Sequence, residues 1–247
     1  MVTCYETPHG KMNCFENDVA FVHSLKQCKV FEEDMVLGTL VPMINAVEGK
    51  KVILDIGAHI GSHSLLYSKY IPDCEIHAFE PQTELYTLLV RNMDVNSLSN
   101  VKTYNMCVGH AARMCSMSKM LRDGYDCEID YATTKSLNYG GMQLGLGGEL
   151  TTMITVDSLH LQNCTYMKMD VEGAEPLVIM GALETIRKYK PIIFFEQTDK
   201  CVNDEMKASL SIDFDVPSSV PLLEKEGYTI TNVDDNNKIA MPIRSQS

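Results

Sequence analysis

The sequence predicts one α/β domain built on a doubly wound, Rossmann-like sheet that is mostly parallel. Three observations support this prediction: strand-length apolar segments alternate with segments of helical spacing, the strand segments are continuously apolar, and glycine or acidic residues follow them. Continuously apolar strands are typical of a parallel sheet that helices cover on both faces. An antiparallel C-terminal hairpin is expected at one edge of this sheet.

The elements follow one another in a regular order. The first 50 residues are predicted to form a helical segment packed on the core, because Val36, Leu40, Val41 and Ile44 have helical spacing. Residues 51–247 form the main domain, in which helices follow the first two strands and the turn at Asp170. The predicted strands are 51–56, 75–79, 101–106, 153–156, 165–169 and 192–195, and the hairpin pairs 229–233 with 238–241.

The alternation stops in a glycine-rich insertion at about 110–150. Five glycines lie between residues 140 and 148, and a loop this long inside a domain is usually functional or disordered. The insertion follows the third strand, so we expect it to lie over the edge of the sheet where ligands bind. Residues 139–148 are predicted to form a mobile lid, and Tyr139 is predicted to contact substrate.

Composition and charge exclude several classes of protein. The 247 residues are 45% hydrophobic and carry a net charge of −12, which disfavours general binding to nucleic acid. No stretch approaches the roughly 18 apolar residues of a membrane span. Nine scattered cysteines and the absence of a secretory signal after Met1 predict reduced thiols and a cytoplasmic location.

Five predicted strands end in a polar or acidic residue. Ligands of open α/β sheets bind outside the carboxyl ends of the strands. Because these ends converge on one edge, they predict a binding site there. The five residues are Asp55, Glu80, Asn105, Asp170 and Glu196.

The turn after the first strand indicates the type of cofactor. Gly57 and Gly61 permit close approach to the backbone, but His59 stands where a dinucleotide-binding turn has its second glycine, which disfavours NAD and FAD. Glu80 can accept hydrogen bonds from two ribose hydroxyls, and Asp55 can hold an ammonium group. A ribose, a cation and no phosphate describe S-adenosylmethionine (SAM). The predicted cofactor-binding residues are Asp55, Gly57, His59, Gly61, Ser62, Glu80, Pro81 and Asn105.

Two segments resemble a known family. The run from Val52 to Gly61, with Phe79-Glu80-Pro81, resembles the cofactor motifs of class I SAM-dependent methyltransferases. The run from Met167 to Glu175, followed by Lys190-Pro191 and Glu196, resembles the FkbM family in particular. The similarity extends from about residue 31 to 200. The family usually has asparagine at the position of His59.

The resemblance implies methyl transfer from SAM to oxygen, often to a hydroxyl of a sugar or glycan. An alcohol needs a positioned base, for which Asp170 is the prediction and Glu172 the alternative, while Lys168 orients Asp170. Glu196 and Tyr139 are the predicted substrate-binding residues. A divalent cation held by Asp170, Glu172 and Glu196 is a less favoured alternative.

Two other functions compete with this one. The first is a non-catalytic module that binds SAM or a nucleoside and acts as a partner or scaffold. The second is a nicotinamide oxidoreductase. The absence of the second glycine of a dinucleotide-binding turn, where this chain has His59, disfavours it. The acids at Asp55, Glu80, Asp170 and Glu172 weigh against the scaffold, which would not need all of them.

Overall fold

The computed structural model describes residues 1–121, 127–132, 134–197 and 202–243. The N-terminal part contains β1 (Val2–Thr7), β2 (Gly10–Phe15), α1 (Val19–Lys26), α2 (Glu33–Met35), a π-helical turn (Val36–Leu40) and α3 (Val41–Asn45). There follow β3 (Lys51–Ile56), α4 (Ser62–Tyr70), β4 (Cys74–Phe79), α5 (Thr83–Val95) and β5 (Val101–Tyr104). Next come β6 (Cys107–Val108) and, from the insertion onwards, β7 (Arg113–Ser118), β8 (Met120–Leu121), β9 (Cys127–Glu128) and β10 (Gly147–Ile154). The chain continues with β11 (Tyr166–Met169), α6 (Glu175–Met180), α7 (Leu183–Tyr189), β12 (Ile192–Glu196), α8 (Asp204–Ser209), α9 (Ser219–Lys225), β13 (Tyr228–Asn232) and β14 (Asn237–Pro242).

The main sheet has the mostly parallel arrangement that the sequence predicts. Within the described residues its strand order is β13-β14-β12-β11-β3-β4-β5. Strands β12, β11, β3, β4 and β5 run parallel, and β14 is antiparallel to both of its neighbours. From β3 the chain builds β4 and β5 on one side, and then returns to build β11 on the other. The crevice between β3 and β11 is therefore the topological switch point, where such sheets bind ligands.

The strands beside this switch point have no solvent-exposed face. Ile53 and Leu54 on β3 and Tyr166 and Met167 on β11 are completely buried, because helices cover both sides of the sheet. Adjacent residues point to opposite faces of a strand, so a strand buried on both sides needs a continuous apolar run. The register places Lys168 opposite Asp55, which brings the two strand ends close together.

The N-terminal part differs from the prediction of a helical segment. Residues 2–15 form an antiparallel hairpin, β1–β2, and helices begin only at Val19. The turn between Thr7 and Gly10 contains Pro8, and Gly10 has a φ of +137°. A proline and a glycine between two strand-length segments are a hairpin signal, which the helical interpretation overlooked. The boundary at residue 50 stays a prediction.

The insertion is folded over most of its described length, and the mobility predicted for residues 139–148 stays a prediction. Strand β10 lies between β6 and β7 in a small separate sheet. Tyr139, Met142 and Leu144 are buried, and residue Leu137 exchanges backbone hydrogen bonds with the N-terminal part at Asn17 and Val19. Apolar residues placed among the glycines therefore anchor this segment to the rest of the fold.

No helix among the described residues is both long and apolar enough to cross a membrane. The eight described cysteines are free thiols.

Candidate active site

A cavity of about 410 Å³ opens at the carboxyl ends of the parallel strands. Its volume is within the roughly 300–1,000 Å³ typical of small-molecule sites. Residues from the ends of β3, β4, β11 and β12 line it together, as the sequence predicts for this edge. The predicted site residues in its wall are Gly57, His59, Glu80, Pro81, Asp170, Glu172 and Glu196.

The turn after β3 has a backbone that only certain residues tolerate. Gly57 has a φ of +79° and lies so close to the β11 turn that a Cβ would be 1.9 Å from the carbonyl oxygen of Asp170. His59 also has a positive φ, of 52°, which is uncommon for a residue with a side chain. Gly61 has a φ of +88° and packs against Met93, not against the cavity. The two glycines are thus required by the turn itself and by its packing.

Glu80 is a buried carboxylate in the cavity wall. Its Oε2 accepts a hydrogen bond from the His59 backbone N–H at 3.0 Å, and its Oε1 accepts one from the Gln82 N–H at 2.9 Å. Burial raises the pKa of Glu80, although the nearby His59 and these backbone donors act in the opposite direction. The two bonds fix the carboxylate in orientation, and each oxygen has a further lone pair for a ligand.

Lys168 lies at the centre of the site's ion pairs. Its Nζ donates to the carbonyl oxygen of Gly57 at 2.7 Å and lies 3.2 Å from Asp170 Oδ2 and 3.6 Å from Asp55 Oδ1. Asp55 is completely buried and also accepts a hydrogen bond from Ser64 at 2.6 Å. Asp55 therefore holds Lys168 beneath the turn and does not line the cavity, contrary to its predicted contact with a cofactor ammonium.

Asp170 reaches the cavity with its side chain 38% exposed. Burial alone would raise the pKa of its carboxyl, but the adjacent Lys168 ammonium outweighs burial, and the pKa lies below its usual range. The carboxylate is consequently ionised at neutral pH and held in one direction. The predicted orientation of Asp170 by Lys168 thus matches the geometry.

The acidic wall continues beyond Asp170. One oxygen of each carboxylate of Asp170, Glu172 and Glu196 lies within 4.8 Å of the others. Beside them lie Asn236, in the turn between β13 and β14, and Asn237, the first residue of β14. Carboxylates and carboxamides side by side form a surface rich in hydrogen-bond acceptors and donors. The sequence predicts these two asparagines only as part of the connection between the strands of the C-terminal hairpin.

Glu175 supports this wall from behind. It is 3% exposed, and its Oε1 accepts a hydrogen bond from the Val171 N–H at 2.8 Å. Burial raises the pKa of Glu175 to about 8. Its contact with Val171 fixes the turn that carries Asp170.

Two further walls come from the N-terminal part and from the insertion. The N-terminal part contributes Ala20, Phe21, Phe31 and Glu32, and the insertion contributes Met117, Asn138, Gly140, Met142 and Leu144. The insertion lies at this edge, as its position after the third strand predicts. Local spacing carries no signal for the N-terminal wall, because that wall depends on tertiary packing.

The remaining predicted residues lie near the cavity but not in its wall. Ser62 and Lys168 line a small neighbouring cavity of about 20 Å³. The Asn105 side chain donates to the carbonyl oxygens of Glu80 and Pro81. The Tyr139 ring is completely buried, with Asn17 donating to its hydroxyl at 2.6 Å, so the predicted substrate contact of its side chain does not fit the structure.

Solved structures of several methyltransferases resemble the chain at low identity. Methyltransferase FkbM from Methylobacillus flagellatus is 18% identical, with a TM-score of 0.48, over 77% of this chain and 43% of that one. Precorrin-6y C5,15-methyltransferase from Geobacter metallireducens is 12% identical, with a TM-score of 0.47, over 86% of this chain and 90% of that one. A SAM-dependent methyltransferase from Aquifex aeolicus is 12% identical, with a TM-score of 0.40, over 86% of this chain and 94% of that one.

The chain spans less than half the length of the Methylobacillus protein. No curated protein sequence matches it significantly. The sequence model of the methyltransferase FkbM domain, however, matches residues 55–228. Because this match covers well over half of the chain, the protein belongs to the FkbM methyltransferase family.

Proposed function

We propose that this protein is a SAM-dependent O-methyltransferase that methylates a hydroxyl of a sugar or glycan, with Asp170 as the general base. The observation that carries the proposal is that one cavity brings the Gly57 turn, the Glu80 carboxylate and the Asp170 carboxylate together. The first two have the chemistry of a nucleoside site, and the third has the chemistry of a proton acceptor.

The residues present fit SAM. Glu80 is fixed by two backbone donors and faces the cavity, so it would hold the two ribose hydroxyls. Gly57 lies in the same wall. When bound, SAM supplies an electrophilic methyl group. The apolar part of the wall, which includes Met106, Val108 and Met142, would exclude water from the bound nucleoside.

Asp170 is proposed to accept the proton of the acceptor hydroxyl. An alcohol is too weakly acidic to lose its proton unaided near neutral pH, so a base must lie within hydrogen-bond reach. Lys168 keeps Asp170 ionised and directed at the cavity. This arrangement favours a carboxylate that first orients the hydroxyl and then takes its proton as the methyl group is transferred.

The acceptor is proposed to bind along Glu172, Glu196, Asn236 and Asn237. Their side chains offer several hydrogen-bonding groups close to Asp170. A sugar, which presents several hydroxyls at fixed angles, matches such a surface.

A divalent cation at Asp170, Glu172 and Glu196 is the alternative that we favour less. The three carboxylates are close enough to bind one, but Lys168 already provides a positive charge to Asp170. Methyl transfer is therefore expected to survive EDTA. Loss of activity with EDTA, restored by Mg²⁺, would instead favour the cation.

Calorimetry and methyl transfer test the proposal in sequence. Calorimetry should show binding of SAM and no binding of NAD, and labelled SAM should transfer its methyl group to at least one member of a panel of sugars and glycans. Binding of SAM without transfer to any acceptor would favour the non-catalytic module. Binding of NAD alone would contradict the cofactor.

A further inference from the structure

The N-terminal part forms one wall of the cavity although it lies outside the matched family domain. The family match begins at residue 55, whereas Phe21, Phe31 and Glu32 line the cavity beside His59. What holds this wall against the turn after β3 therefore determines the shape of the cofactor end of the site.

Three aromatic rings form a column between this wall and the turn. Phe31 stacks on Phe21 at 4.4 Å between ring centroids, and Phe21 stacks on His59 at 3.9 Å with an interplanar angle of 15°. His59 thus presents one ring face to the N-terminal part. Its backbone N–H donates to Glu80.

Asp18, which immediately precedes α1, contacts the same imidazole. It is completely buried and occupies the N-cap position of α1, yet its side chain makes no capping hydrogen bond. Among the described residues its carboxylate oxygens have no hydrogen-bond partner, and Oδ2 lies 3.3 Å from His59 Nε2 as an ion-pair contact. Buried carboxylates are normally compensated by a donor or a cation. We therefore take the His59 imidazole as the group that compensates the Asp18 carboxylate.

A second contact of the same kind involves His63, four residues after His59. Glu32 Oε2 is 3.0 Å from His63 Nε2, at the beginning of α4. Two carboxylates of the N-terminal part therefore approach two histidines of the segment that follows β3.

We propose that Asp18 is a positioning residue for the cofactor site and acts through His59. The Asp18–His59 contact, with the Phe21 stack, holds the N-terminal wall against the turn and keeps the His59 N–H directed at Glu80. The proposal rests on the proposed function. In this chain, histidine at position 59 thereby joins the N-terminal part to the turn, and asparagine there would not stack on Phe21.

A double-mutant cycle on the full chain tests the proposal, with the affinity for S-adenosylhomocysteine measured by calorimetry. Asp18→Asn should weaken binding roughly tenfold, within the coupling range of residues in direct contact. In the His59→Asn background, Asp18→Asn should add less than about twofold, because its partner is already gone. With saturating SAM, kcat of Asp18→Asn should recover to within about twofold of wild type, since Asp18 does not touch the reacting atoms.

Glu33→Gln is the matched control. Glu33 lies on the same N-terminal part and contacts His9 Nε2 at 3.0 Å, but it does not line the cavity. This variant should keep the wild-type affinity. If Asp18→Asn does not fold, as judged by thermal unfolding, Phe21→Leu replaces it and should weaken binding several-fold by removing the stack.

Wild-type affinity in folded Asp18→Asn, or in Phe21→Leu when that variant is used, would overturn the proposal. The proposal would also be overturned if the fold-losses of affinity of the two single variants multiplied in the double variant, because the two residues would then act independently. If the wild-type protein does not bind S-adenosylhomocysteine, the proposed function fails and this proposal fails with it. If the wild-type protein binds and the variants bind equally well, only the role of Asp18 is refuted.

Discussion

The Lys168 ammonium lies 3.2 Å from a carboxylate oxygen of Asp170, the residue that follows β11. Burial alone would lower the pKa of Lys168, but Asp170, Asp55 and Glu32 outweigh it, and the pKa lies above its usual range. Lys168 is therefore a permanent cation. The same contact keeps the pKa of Asp170 below its usual range.

Lys168→Met should move the pH profile of methyl transfer. Asp170 has a lowered pKa, so it loses its charge only as the pH falls through that low value. The stability that the ionised form contributes is lost over the same range. Without Lys168, burial would raise the pKa of Asp170, and the acid limb of kcat/KM should shift to higher pH. Asp55 would lose its cation as well, and unfolding free energy should fall by about 3–5 kcal/mol.

Lys69→Met, at an exposed lysine of α4, is the control for this change. It should leave both the pH profile and the stability unchanged. An acid limb that stays in place in folded Lys168→Met would contradict the role of Lys168.

Glu80→Gln should weaken cofactor binding. A carboxamide offers one acceptor where Glu80 now receives two backbone N–H groups, so one donor would face an NH₂ group. The carboxamide also lacks the negative charge that would bind the ribose hydroxyls. Loss of one such charged hydrogen bond costs about 1.5–3 kcal/mol, which corresponds to roughly tenfold or more in the dissociation constant of SAM measured by calorimetry. Glu84→Gln, on the exposed side of α5, should bind as wild type does. Equal affinity of the two variants would exclude Glu80 as a cofactor ligand.

Gly57→Ala and Gly49→Ala form a matched pair. Both glycines have a positive φ, of 79° and 81°, but a Cβ meets the Asp170 carbonyl at Gly57 and nothing within 4 Å at Gly49. Alanine at either position suffers backbone strain. Only at Gly57 must the β11 turn also move, so this variant should be less stable in urea denaturation and should lose SAM binding. Similar stabilities and affinities for the two variants would mean that the close approach has no consequence.

Glu175→Gln should remove a pH dependence of stability. The pKa of Glu175 rises from 4.5 to about 8 on folding, so the folded state retains a proton that the unfolded state releases. The stability linked to this proton is complete below pH 4.5 and is lost as the pH rises towards 8. The wild-type Tm should therefore fall more than that of Glu175→Gln between pH 5 and pH 8.5. Parallel curves for the two proteins would show that Glu175 does not retain its proton.

The strand ends of the site could be predicted from sequence because topology alone assembles them. Once the apolar runs at 51–56 and 165–169 are parallel neighbours, Gly57 and Asp170 must emerge at the same edge. The contact of Lys168 with Asp170 followed from the same reasoning, since residues two apart share a strand face.

Side-chain direction and distant packing could not be predicted in the same way. Asp55 ends its strand as the pattern requires, yet its side chain turns to Lys168 and Ser64 beneath the turn. Tyr139 belongs to the insertion near the site, yet its ring points into the core. Phe21 reaches the cavity only through the packing of α1, which the spacing of apolar residues along the sequence does not reveal.

Methyl transfer by Asp170→Asn tests the central claim most directly. Asparagine keeps the size of the side chain but cannot accept a proton, so transfer from labelled SAM to the best sugar acceptor should fall by about 10²–10⁴-fold. The affinity for SAM should remain close to that of wild type. Full activity in this variant would contradict Asp170 as the base, and loss of SAM binding together with activity would contradict the separation of cofactor and base within the site.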